Sequence, residues 1–134
     1  MKLPNKVLVV QIEDNTYSIK FPTVRQFLAI ENLRMALTDE KYGSMAFSGL
    51  KSASFAVDIV DAISAFFTLI PELKEDLHAK SFMDIDPFLA KALVKVYKSK
   101  FAPWYNAWLD ELLKEDEVGT VDDDQDDENE STLI

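Results

Sequence analysis

Asp58 and Asp61 stand three positions apart in a stretch that reads as helix, so both carboxylates fall on one face. Paired carboxylates can hold a cation or divide acid and base roles between them. No histidine or further carboxylate lies at a matching helical spacing, and the expected role is a solvated or helix-capping polar face. The single histidine, His78, sits in a charged turn, and the chain has no cysteine to serve as nucleophile. A plain solvated imidazole is expected there rather than a general base. Residues 122–128, DDDQDDE, resemble a calcium loop in composition but lack its sixth-position glycine and twelfth-position glutamate. Three glycines in all leave little for a phosphate-cradling loop. Lys91, Lys95, Lys98 and Lys100 run beside Phe101, Trp104, Tyr105 and Trp108, a mixture that suits single-stranded nucleic acid. The body carries no net positive charge, however, so the lysines are expected to be the wet side of a core helix. An enzyme is not expected, and neither metal nor cofactor is implied.

The charge is unevenly placed. The fourteen bases and fourteen of the acids lie in residues 2–114 and cancel, while ten acids between 115 and 130 carry the whole net charge of −10. A neutral body with an acidic tail follows, expected to divide at residues 1–114 and 115–134. The tail is too polar to offset the entropy of ordering and is expected to be disordered. The absence of cysteine excludes disulfides and thiolate metal sites. The N-terminal stretch lacks the apolar region and cleavage site of a secretion signal, which makes a cytosolic protein the expected reading.

The elements that position these residues are organised around residues 52–70, SASFAVDIVDAISAFFTLI. Phe55, Ala56, Ile59, Val60, Ile63, Phe66, Phe67 and Ile70 share one broad helical face, with Asp58 and Asp61 opposite among Ser54, Ala65 and Thr68. Two mid-segment aspartates argue against a membrane span and for a core helix. Upstream, residues 6–12 and 17–21 read as a β-hairpin through a turn at residues 13–16, with Tyr17, Ile19 and Phe21 on one face. Pro22 ends the strand and Thr23 caps a helix over residues 24–37. That helix has two apolar groups: Val24, Phe27, Leu28 and Met35, then Ile30, Leu33 and Leu37. It is either sandwiched or presents one face to a partner. A short helix is expected over residues 44–50 and another turn over residues 72–78. Asp86-Pro87 starts a further helix, with Leu89, Leu93, Val96, Tyr97, Phe101, Trp104, Trp108 and Leu112 as its stripe. Pro103 should kink or split it. The fold class is thus α+β, mostly α: an N-terminal hairpin, about four or five helices and the acidic tail.

A strand ending in YSIKF, then Pro22-Thr23-Val24-Arg25 and a helix containing Phe27 to Glu31, followed by small helical elements and a charged C-terminal part, resembles the tail assembly chaperones of long-tailed bacteriophages. The resemblance implies a non-catalytic protein of the host cytoplasm that binds apolar helical segments of the tape-measure protein and helps recruit tail-tube subunits. Some members are also made in a longer frameshifted form. A structural tail or neck subunit is the alternative, and a nucleic-acid-binding regulator a further one. The apolar surface in excess of what a small core needs is expected to bind the partner through Val24, Phe27, Ile30, Leu33, Leu37, Trp104 and Trp108. The same surface could serve a homo-oligomer. No membrane partner is expected, and nucleic acid is disfavoured as one.

Overall fold

The computed structural model describes residues 2–78, 81 and 84–114. The expectation of a disordered acidic tail therefore lies outside the described residues. The fold is α+β and mostly helical, with an antiparallel two-stranded hairpin ahead of the helices.

Strands β1 (Val7–Ile12) and β2 (Asn15–Lys20) pair with Val10 opposite Tyr17 and Leu8 opposite Ile19. The period-two pattern works as expected: Val10, Ile12, Tyr17 and Ile19 are all buried, while Val9, Ser18 and Lys20 face out. The turn is tighter than the sequence suggests. Asn15 and Thr16 belong to β2, leaving Glu13 and Asp14 to reverse the chain, with Glu13 at a left-handed φ of 56°. Tyr17 donates its hydroxyl to Asp76 Oδ2 at 2.8 Å, tying the hairpin to the short helix α4 (Leu73–Asp76).

Helix α1 (Val24–Leu37) opens on a full capping box, in which the Thr23 hydroxyl accepts from the Gln26 amide and the Gln26 side chain accepts from the Thr23 amide. After the one-turn helix α2 (Tyr42–Ala46) comes the central helix α3 (Lys51–Leu69), reached through Gly49 at φ 80°. Length and apolarity would let α3 cross a membrane. In this fold its C-terminal half is enclosed by protein on nearly every side, with Ala62, Ile63, Ser64, Ala65, Phe66, Phe67 and Leu69 all buried. The polar side expected from the sequence is thus confined to the first turns; Ala65, placed there with the aspartates, is buried instead.

Helix α5 (Pro87–Val96) starts as Asp86-Pro87 predicts, the Asp86 carboxylate accepting from the Phe88 amide. It continues through a π-helical turn (Tyr97–Phe101) into α6 (Ala102–Leu113). The π turn is how the chain accommodates Pro103, which lacks an N–H and would press on the Ser99 carbonyl in a regular α-helix. The Ala102 amide reaches back five residues to the Tyr97 carbonyl, and the Ser99 hydroxyl donates to the Lys95 carbonyl.

The core forms where the hairpin, α3 and the α5–α6 run meet. Phe101 lies against Phe66 edge-on, with centroids 5.6 Å apart, and stacks on Tyr105 at 5.1 Å. Phe21 at the end of the hairpin stacks on the same Tyr105 at 5.7 Å.

Candidate partner-binding surface

Helix α1 divides as its two apolar groups imply, and the structure assigns each group a side. Ile30 is buried, and Leu33 and Leu37 are half-buried, on the side turned toward the core. Val24, Leu28 and Met35 lie on the other side, 76%, 61% and 40% exposed. At ~100° per residue these three fall within about 40° of one another, so they share one outward side, on which exposed Glu31 stands between Leu28 and Met35. Phe27 lies between the two groups, half-buried against Phe21 at 5.6 Å and Tyr105 at 6.1 Å.

The two tryptophans are engaged internally. The Trp104 indole donates to the Asn5 carbonyl at 2.6 Å, and the Trp108 indole reaches the same oxygen at 3.2 Å. Trp104 is buried; Trp108 is half-buried, with the Lys6 ammonium 5.4 Å from its ring centroid. This pair clamps the segment that leads into β1. Buried tryptophans need such a partner, since an orphaned indole N–H is costly.

The seven residues predicted to bind a partner therefore do not form one surface. Val24 is open, Phe27, Leu33, Leu37 and Trp108 are partly covered, and Ile30 and Trp104 are interior. Leu28 and Met35 complete the exposed stripe. They were visible in the sequence as members of the Val24 group, and only the packing of the opposite side reveals that theirs is the open one. Phe47, Leu50 and Phe88 are also exposed, with Phe47 91% open. Nothing in their sequence spacing marks them.

Beside the C-terminal end of α1 lies an apolar cavity of about 280 Å³. Leu37, Met45 of α2, Ala56, Ile59, Val60 and Ile63 of α3, and Ile85, Pro87 and Ala90 line it. Nearly all of its wall is hydrocarbon, so it can take an aliphatic or aromatic group without desolvating a polar one.

Next to this cavity, the aspartates of α3 are paired rather than simply solvated, which corrects the expectation drawn from their spacing. Asp61 Oδ1 accepts from Arg34 Nε at 2.9 Å and from the Tyr42 hydroxyl at 2.7 Å. Arg34 also pairs with Glu31 at 2.7 Å and lies 5.4 Å from the Tyr42 ring centroid. Asp58 pairs with Lys98 at 2.8 Å. Burial raises the Asp61 carboxyl above its ordinary range, even though Tyr42 and Arg34 stabilise the charged form. Burial, reinforced by the hydrogen bond to Asp61, pushes the Tyr42 hydroxyl up to about 12. Arg34 loses from burial but gains more from Asp61 and Glu31, and its net shift is upward. These groups fix α1, α2 and α3 relative to one another. No group of three or more metal-ligating side chains occurs among the described residues. His78 is exposed, in the left-handed conformation.

The four lysines of the α5–π strip are exposed or partly so, but Phe101 and Trp104 point into the core and offer no face for base stacking. No protein-family model, curated protein or solved structure matches this chain.

Proposed function

We propose that this protein is a non-catalytic assembly chaperone, of the kind that serves bacteriophage tails, and that it binds apolar helical segments of a tape-measure-type partner. The supporting observation is the α1 stripe of Val24, Leu28 and Met35, left open to water while the inward residues of the same helix are covered. An amphipathic partner helix presents apolar side chains along one face, and laying such a helix on α1 covers the i, i+4, i+11 set of Val24, Leu28 and Met35. A tail-tube subunit would be recruited to that complex, and the protein would act in the host cytoplasm.

Leu28→Asp tests this reading without touching the core, because Leu28 is outward. Co-expressed with the tape-measure protein of the same phage, the wild-type chain should hold it in solution and copurify with it. The Leu28→Asp chain should lose copurification with an unchanged circular dichroism spectrum; retained binding would overturn the role of the stripe. Mass spectrometry of purified particles separates the chaperone, which should be absent, from a structural tail subunit, which should be present at fixed stoichiometry.

A further inference from the structure

We propose that the apolar cavity beside the end of α1 binds a neutral hydrocarbon of about ten carbon atoms, with α2 as its hinged wall. The latch is the hydrogen bond from Tyr42 to Asp61. The site is independent of what the outward stripe of α1 binds.

The enclosure selects a small molecule over a docked helix. Four elements meet around about 280 Å³: Leu37 ends α1, Met45 belongs to α2, Ile59 and Ile63 to α3, and Pro87 and Ala90 to α5. A partner helix needs an open groove, whereas a space walled by four helices takes a compact group. An apolar cavity of ~150 Å³ binds one benzene ring, so a space nearly twice as large suits two fused rings or a chain of similar bulk.

Charge points the same way. Among the described residues, no titratable side chain lines the cavity. The two aspartates of α3 beside it are already matched, Asp61 by Arg34 at 2.9 Å and Asp58 by Lys98 at 2.8 Å. Glu31 pairs with the same Arg34 at 2.7 Å. A charged ligand would lose its hydration and meet only hydrocarbon, so the complementary occupant is uncharged.

Met45 is the movable part of the wall. It borders the cavity and also an open hollow lined by Ala46, Gly49, Leu50, Ser54 and Phe55. Helix α2 thus stands between two spaces, and none of its residues is buried. The chain enters it through Asp39 and Glu40, at left-handed φ of 52° and 63°. It leaves through Gly49 at φ 80°, with open space where a Cβ would stand. A few residues at the ends of an element can absorb the φ and ψ change of a hinge. Thr38, buried, closes α1 with its hydroxyl on the Arg34 carbonyl at 2.8 Å, so the movement begins after it. The tether is the Tyr42 hydroxyl, which donates to Asp61 Oδ1 at 2.7 Å. Its release lets α2 swing out and Met45 leave the mouth. A hydrocarbon then enters, and the flexible thioether chain closes on it.

Naphthalene is the probe, followed by methyl NMR of the full chain. Saturable shifts should appear at Ile59, Ile63, Ile85 and Met45, and none at Val9 on the outer face of the hairpin. Naphthalene-2-sulfonate, of similar shape with one charge, should bind at least about tenfold more weakly. Ala56→Phe, which places a ring in the cavity, should abolish the shifts with an unchanged circular dichroism spectrum. Tyr42→Phe should speed naphthalene exchange about fivefold, as loss of one hydrogen bond holding the closed state implies. Absence of any shift with naphthalene would overturn the site. So would equal shifts at Val9, sulfonate binding as tight as that of naphthalene, or binding that survives Ala56→Phe. Shifts seen only with an apolar helical peptide would overturn the small-molecule occupant and give the cavity to a protein side chain. An exchange rate unchanged in Tyr42→Phe would overturn the hinge.

Discussion

Asp61 shows what residue-level reasoning reached and where it stopped. Its spacing from Asp58 was plain in the sequence, but its partners, Arg34 and Tyr42, lie 27 and 19 positions away and no local pattern joins them. Ile30 and Trp104 illustrate the same limit: periodicity identified them as apolar-face residues but could not say that the core would cover them. The neighbouring Tyr97 gives a test of the packing. Burial, with Asp61 adding to it, pushes its hydroxyl from 10.0 to about 12. The folded chain thus keeps this proton where the unfolded chain has released it. Its contribution to stability is complete below pH 10 and is lost as pH rises toward 12. Melting temperature should fall across that window, and Tyr97→Phe, which removes the ionisable group and keeps the ring, should make the fall shallower.

Elements were more legible than contacts. The limits of α1 followed from Pro22 and Thr23 before it, and the start of α5 from Asp86-Pro87, because caps and prolines act within a few residues. The hairpin turn was drawn two residues too wide, since Asn15 and Thr16 favour turns but pair here in a ladder. The cost of the tight reversal falls on Glu13, a non-glycine at φ 56°. Glu13→Gly should raise stability by up to about 1 kcal/mol, the penalty L-residues meet in that region, as measured by urea denaturation. Helix α2 is weakly held: it has no buried residue, it follows left-handed Asp39 and Glu40, and Gly49 lies beyond it. Its hydroxyl tether is Tyr42 to Asp61. In Tyr42→Phe, hydrogen exchange should quicken severalfold in residues 41–48 while α3 between Ala62 and Leu69 keeps its protection, consistent with a net hydrogen-bond contribution of about 1 kcal/mol.

At the scale of the molecule, the hairpin-plus-helices plan was readable because the hydrophobic period changes from two to 3.6 at Pro22. The enclosure of α3 was not, because it depends on which elements return to cover its second half. Phe101 is the residue on which that closure turns, touching Phe66, Tyr97, Trp104 and Tyr105. Phe101→Ala should cost about 3–5 kcal/mol, a large part of the roughly 5–15 kcal/mol that holds a domain together. Thermal denaturation should show a large drop in melting temperature, and a loss within a few tenths of a kcal/mol would mean the rings are not the keystone described. The convergence of both indoles on the Asn5 carbonyl has a practical consequence. The chain's two tryptophans are its main intrinsic fluorophores, and both report on one anchorage. Their emission will therefore register whether the leading segment and its hairpin are moored to α6. A ligand seated on α1 has a route to that signal through the ring contacts from Phe27 to Phe21 and from Phe21 to Trp104.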